Sequence, residues 1–299
     1  MFLLAVFISL LSPIAYAAST VTDSHLANKS FRSGLSPVFY GAPASMLLLP
    51  LLFLFGTPEI PDKDIWPALL FIGFTTMAYQ IPYFTALRKT DTSIINALFA
   101  MGKVLIPVLA YFMVNERLAP IQYVGFALIT IASVTLSLSP GKFGKLNSAL
   151  YLMIPVAVLE AFGSVLEKIA IGELSWIGLA FWTEVIANAF IMTILLHKKS
   201  RREILRDAPM AKKGFHFLVL TNLFTLAGLM TQMFAISVLP VTVDRAIHSS
   251  QPFWALLFGI LLFRVFKRKT KEKTDLASVL KKTICFAVIL TGIVLAVNY

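Results

Sequence analysis

Runs of about 17–25 apolar residues constrain this chain more than any other feature. Ten of them follow one another, at roughly 1–18, 37–55, 65–87, 92–114, 121–138, 149–171, 174–196, 215–239, 247–263 and 283–298. A helix rising about 1.5 Å per residue needs about 20 apolar residues to cross a ~30 Å hydrocarbon core. In lipid every backbone N–H and C=O must be satisfied within the chain, so such runs read as spanning helices. A membrane β-barrel would instead show alternating segments of about 10 residues, and none is seen. The chain is 58% hydrophobic and 14% charged, against about 25% charged residues in soluble domains. The expected fold class is an all-α integral membrane protein with ten transmembrane helices in a lipid bilayer.

The net charge of +11 does not point to nucleic acid. The basic residues sit in short loops beside apolar runs, where they act as topology signals, and no aromatic-basic RNA-binding motif is present. The first run ends in Ala-Tyr-Ala, like a signal-peptide cleavage site. No Lys or Arg precedes its apolar stretch, and the repeat described below needs it, so it is expected to stay as the first span. A single cysteine, Cys285, excludes an intrachain disulfide. The four histidines form no His-Glu-x-x-His pattern or Cys/His metal cluster, and there is no Gly-x-Ser-x-Gly elbow or Gly-rich phosphate loop. Neither an enzyme nor a cofactor is expected.

A shift of 149 residues lays 80–110 over 229–259 without a gap, with Ala86 on Ala235 and Ala97 on Ala246. A shift of 160 lays 126–134 over 286–294, and one of 144 lays Asp23 on Glu167. The order of matches is kept, so the spans read as five plus five, with repeats at 1–140 and 141–299. An odd number of spans per copy inverts the second one. Inverted repeats of this kind build secondary transporters, whose site lies near the midplane between the copies.

Residues 82–138, with Asn115-Glu116-Arg117-Leu118 closing the fourth run, resemble the repeat of the drug/metabolite transporter superfamily, EamA-like branch. That repeat ends its fourth span in Gly-Glu-Arg-Leu. Residues 33–52 are similar to the entry to the family's second span. The resemblance covers essentially the full chain and implies a ten-helix exporter of amino acids or other small metabolites. The family often has Pro where Lys103 stands, a pattern kept by Pro252 in the second copy. The second copy also lacks the Glu, since Arg264 and Val265 stand near the positions of Asn115 and Glu116.

Charge sets the expected orientation. On one side the loops hold Lys29 and Arg32, Arg88 and Lys89, Lys142 and Lys145, and dense basic stretches at 198–213 and 264–282. The loops on the N-terminal side hold Lys63, Arg117, Lys168 and Arg245. The positive-inside rule puts the richer side in the cytoplasm and both termini outside a cell membrane, inner or plasma.

Lys103 lies in the middle of the fourth run, Glu160 in the middle of the sixth and Glu184 near the middle of the seventh. Each would cost at least about 2.5 kcal/mol if left facing lipid. A polar centre at the midplane, with Lys103 paired to one or both carboxylates, removes most of that cost. Two readings stay open: an ion pair that locks the spans together, and a site for substrate or a proton. Polar stripes at helical spacing accompany the three charges. They are Asn96, Ala100, Lys103 and Pro107; Gly73, Thr76, Gln80 and Tyr83; Asn222, Thr225, Leu229 and Gln232; and Arg245, His248, Gln251 and Pro252. Polar stripes in lipid face protein or a cavity. Pro43, Pro82, Pro107, Pro155 and Pro252 are expected to break or bend spans.

The expected substrate-binding residues are Lys103, Glu160, Glu184, Asn96, Gln80, Tyr83, Asn222, Gln232, His248 and Gln251. The expected substrate is small and zwitterionic, such as an amino acid, because both charge signs occur at one depth. Coupling to protons is open, as is the choice between monomer and homodimer. The alternatives are a carrier of anionic, phosphorylated or nucleotide-linked metabolites, with Lys103 as counter-ion, and an uncoupled channel or sensor.

Overall fold

The computed structural model describes residues 1–90, 92–137, 148–266 and 276–297. The repeat boundary at 140/141, Lys142 and Lys145, the basic stretch 267–273 and Tyr299 lie outside the described residues. Every regular element among the described residues is helical. In chain order they are α1 (Phe2–His25), α2 (Leu35–Leu48), α3 (Trp66–Leu87), α4 (Thr92–Gly102), α5 (Leu105–Val114), α6 (Pro120–Ser137), α7 (Ser148–Ala170), α8 (Trp176–Thr193), α9 (Lys198–Arg206), α10 (Ala208–Val238), α11 (Val241–His248), α12 (Gln251–Phe266) and α13 (Leu276–Val297).

Among the described residues, six helical segments are long and apolar enough to cross a membrane: Phe2–Ser30, Leu35–Leu54, Thr92–Val114, Trp176–Leu196, Ala208–Val238 and Leu280–Val297. The other expected spans carry more polar residues or begin elsewhere in the structure. Thr75, Thr76, Tyr79 and Gln80 dilute α3, and α7 carries Glu160, Glu167 and Lys168. The ninth expected span, 247–263, begins earlier in the structure. Its rod includes α11 and therefore Asp244 and Arg245, which are buried in the fold rather than placed in a loop.

Two rods are interrupted. Lys103 and Val104 form a turn between α4 and α5, and Ser249 and Ser250 form one between α11 and α12. A proline offers no N–H to the carbonyl four residues before it, and its ring crowds that carbonyl. Four residues before Pro107 stands Lys103, and four before Pro252 stands His248. Both prolines then occupy the first turn of the following helix, where an intrahelical donor is not needed. Pro43, Pro82 and Pro155 lie within continuous helices instead.

α1 packs along α10, α3 against α7 and α8, α2 against α10 and α8, and α6 against α13. α4 touches α6, α7 and α12, while α5 rests on α7 and α11. Glycines allow the closest crossings. A Cβ added at Gly125 of α6 would lie 2.5 Å from the Gly292 carbonyl oxygen of α13, and one at Gly292 would lie 2.6 Å from that of Gly125. Small residues at such crossings let backbones meet, which is how helices gain packing energy in lipid.

Side chains fasten the ends of the rods. Asn115 ends α5 in the left-handed conformation at φ 54°, which glycine adopts freely and asparagine tolerates. That accounts for Asn115 standing where the similar repeat has Gly. Next to it, the Glu116 carboxylate accepts the backbone N–H groups of Val241 (3.2 Å) and Thr242 (3.1 Å) and the Thr242 hydroxyl. Glu116 therefore caps the N-terminus of α11. Lys168, in the last turn of α7, donates to the carbonyls of Ile236 (2.7 Å) and Leu239 (2.9 Å) at the end of α10. At the other end of the bundle, buried Asp207 accepts the N–H groups of Arg32 and Ser33 and the Ser36 hydroxyl.

Candidate functional site

A cavity of about 210 Å³ lies among α1, α2, α3, α7, α8, α10 and α11. Most of these helices turn polar residues toward the interior, as expected when the opposite face meets lipid, whereas α2 contributes Ser45 among apolar residues. On α1 the stripe is Ser9, Ser12, Tyr16, Ser19 and Asp23, all within three or four residues of the next. Ser12 donates to the Gly228 carbonyl at 2.8 Å, and the Tyr16 ring lies against Gly228, where an added Cβ would be 3.0 Å away.

Polar groups cluster in three corners. Between α1, α3 and α10, Asp23 accepts the hydroxyls of Tyr83 (2.9 Å) and Thr221 (2.7 Å). Between α2 and α8, Glu184 accepts the Ser45 hydroxyl at 2.6 Å, and the Asn188 amide donates to Ser45 Oγ at 3.3 Å. Between α7, α10 and α11, Arg245 forms an ion pair with Glu167, which also accepts from Gln232 Nε2 at 3.2 Å. Behind that pair, fully buried Asp244 accepts the Ser9 hydroxyl at 2.7 Å. It lies 3.9 Å from Arg245 Nε and 3.8 Å from His248 Nε2.

Of the sequence-predicted residues, Gln80, Tyr83, Glu160, Glu184, Asn222, Gln232, His248 and Gln251 line this cavity. Lys103 and Asn96 do not. Asn96 lies beside it, accepting the Thr20 hydroxyl at 3.2 Å and Gln251 Nε2 at 2.9 Å. Lys103 is 2% exposed, in the turn between α4 and α5. Just before it, Gly102 lets α4 approach α7, since an added Cβ would lie 2.7 Å from the Ala157 Cα.

The pairing of Lys103 with Glu160 or Glu184 is not formed. Among the described residues the ion pairs are Arg245 with Glu167 and Asp244, and His248 with Asp244. Glu160 and Asp244 are acidic electrostatic neighbours of Lys103, yet Glu160 Oε2 is buried without a hydrogen-bond partner. Lys103 is buried in the turn and does not line the cavity, and Glu184 accepts from Ser45 instead.

Lining residues not predicted as site residues include Tyr16, Asp23, Ser45, Tyr79, Glu167 and Thr183. Two signals could have found some of them. Asp23 and Glu167 coincide under the shift of 144 residues, and the α1 stripe is visible once its first run extends past residue 18.

Three comparisons bear on this architecture. Residues 3–138 match the EamA-like transporter family. A solved structure, described only as "Crystal structure of protein", is similar over 99% of this chain and 97% of its own, with a TM-score of 0.67 at 14% identity. That likeness is one of fold. No curated protein sequence matches the chain. Residues 3–138 are similar to a family of small-molecule transporters, and the six long apolar helices among the described residues indicate a multi-pass membrane protein.

Proposed function

From the premise that residues 3–138 belong to the EamA-like transporter family, we propose that the chain is a proton-coupled secondary transporter that exports small metabolites such as amino acids. It crosses the membrane ten times as two inverted repeats, 1–140 and 141–299, and binds its substrate in the cavity between them. The ten residues predicted from sequence serve that site, eight on its wall and Asn96 and Lys103 directly behind it.

The observation that carries this reading is the pair of interrupted rods. α4/α5 and α11/α12 break close to corresponding places under the 149-residue shift, beside a cavity lined by both halves of the chain. Interrupted helices at matching positions mark substrate sites in inverted-repeat transporters. The packing supports the same symmetry. If each rod is exchanged for its counterpart in the other half, α1 against α10 becomes α7 against α3. In the same exchange α2 against α10 becomes α8 against α3, and α4 against α6 becomes α11 against α13. The α6 and α13 contact maps onto itself.

The acidic lining argues against an anionic substrate. With Arg245 assigned to the buried core, the basic excess on the 198–213 side grows, which favours a cytoplasmic position for that side and external termini.

Purified protein in proteoliposomes, assayed by counterflow against a metabolite panel with a pH-sensitive dye inside, tests the function. Label accumulation with dye response supports a coupled carrier. Accumulation without it identifies an uncoupled one, and neither response refutes transport. A phosphatase or fluorescent-protein fusion at Tyr299 reads the orientation, and a cytoplasmic C-terminus would overturn it.

A further inference from the structure

The charges around the cavity do not balance. Asp23, Glu160, Glu167 and Glu184 line it, whereas Arg245 is the one Lys or Arg side chain on its wall. Arg245 is already committed, bonded to Glu167 with Asp244 alongside. Adding the buried wall, five carboxyl groups face two basic side chains, Arg245 and Lys103. Charge of one sign is costly at membrane depth and calls for a partner.

The carboxylates also converge. Glu160, Glu184, Glu167 and Asp23 are all electrostatic neighbours of a single ring, Tyr79. Around it stand Tyr16, Tyr83 and Phe99. Aromatic faces attract cations through the ring quadrupole, most strongly where water is excluded.

Polar groups on this wall remain open. Thr183, next to Glu184 in α8, is 3% exposed, and its hydroxyl has no hydrogen-bond partner. Glu160 Oε2 is likewise buried and unpartnered. Buried polar atoms in a folded protein are normally paired, so open ones facing a cavity mark where a bound molecule completes the set.

We infer that the cavity selects organic cations: protonated amines with an apolar or aromatic body and no carboxylate. The ammonium sits by Tyr79 between Glu160 and Glu184, and the Thr183 hydroxyl accepts one of its N–H groups. A carboxylate on the same molecule finds one arginine, Arg245, already paired with Glu167, and meets four carboxylates around it. The inference rests on the reading of this cavity as the transport site and replaces amino acids, as its substrates, by amines that carry no carboxylate.

Three probes that share a skeleton and differ in charge decide it: 2-phenylethylamine, phenylalanine and 3-phenylpropanoate. Binding to the full-length purified protein is read by thermal stabilisation and by tryptophan fluorescence titration. The amine is expected to bind about tenfold more tightly than phenylalanine, a difference of about 1.4 kcal/mol, and the anion not to register. Glu184→Gln, which keeps an oxygen for Ser45, and Glu160→Gln should each weaken amine binding about tenfold while eluting as folded protein. Thr183→Val should weaken it less.

Equal or tighter binding of phenylalanine or 3-phenylpropanoate overturns the inference. So does failure of all three probes to bind, or amine binding unchanged in both Gln variants. Counterflow separates this from the transport reading. Amine binding without counterflow of any metabolite sinks the carrier and keeps the cation site. Counterflow of metabolites with a reversed charge order does the opposite.

Discussion

Replacing Glu116 by alanine tests how the first half of the chain holds the second. The substitution removes the acceptor for the Val241 and Thr242 N–H groups and for the Thr242 hydroxyl. Val241 is 0% and Thr242 1% exposed, so water does not reach the stranded donors. Each buried unsatisfied donor costs about 1–3 kcal/mol. A negative charge lost from a helix N-terminus costs about 0.3–1 kcal/mol more. Relaxation of the first turn of α11 returns part of this, leaving a loss of about 2–4 kcal/mol. Glu116→Gln keeps one acceptor oxygen and should lose about 1 kcal/mol. Thermal unfolding in detergent, followed by tryptophan fluorescence or aggregation on size-exclusion, should rank wild type above Gln above Ala. The Ala variant should melt roughly 4–8 °C below wild type, taking about 2 °C per kcal/mol for a chain of this size. Coincident melting curves for all three proteins would refute the capping role.

Three further outcomes are expected. Arg245→Met strands Glu167 and Asp244 and should destabilise the fold by about 3–5 kcal/mol. Adding Glu167→Gln should recover most of the loss in the same melting assay, and no recovery would show that the pair is not coupled. Lys103→Met should leave an assembled protein, because no described ion pair depends on Lys103, yet abolish counterflow. Normal counterflow by this variant would leave the buried ammonium without a task. Gly125→Ala should force α6 from α13 and cost about 1–3 kcal/mol, and an unchanged melting temperature would contradict the close crossing at Gly292.

The apolar runs made the helices legible because lipid leaves the backbone no other solution. They did not reveal where rods break. Thr92–Val114 reads as one apolar segment, and only the position of Pro107 four residues after Lys103 marks the turn. The stripes at Thr76, Gln80 and Tyr83 and from Asn222 to Gln232 face the cavity because spacing alone fixes which residues share a helix face. The stripe from Asn96 to Lys103 faces neighbouring helices, since spacing cannot distinguish a cavity from a packed partner. Lys103, Glu160 and Glu184 were read as one centre from their depth along separate spans. Depth leaves rotation about each helix axis undetermined, and rotation decides that Glu184 meets Ser45 rather than Lys103. Arg245 is visible in the stripe with His248 and Gln251, but Asp244 stays hidden in an apparent loop because a short polar helix buried between other helices carries no apolar signal of its own.

The main packing partner of many rods lies in the other half of the sequence: α1 on α10, α3 on α7, α6 on α13. A ribosome delivers these halves in succession. When α1 to α6 have entered the bilayer, Asp23, Tyr79 and Asn96 have neither α7 nor α10 to cover them, and Glu116 has no α11 to cap. The early helices must therefore wait in a loose, water-admitting arrangement until α10 and α11 are inserted. The cavity is thus incomplete until the second half of the chain has joined the first, and a chain truncated before α10 should be recognised by membrane quality control as an orphaned half.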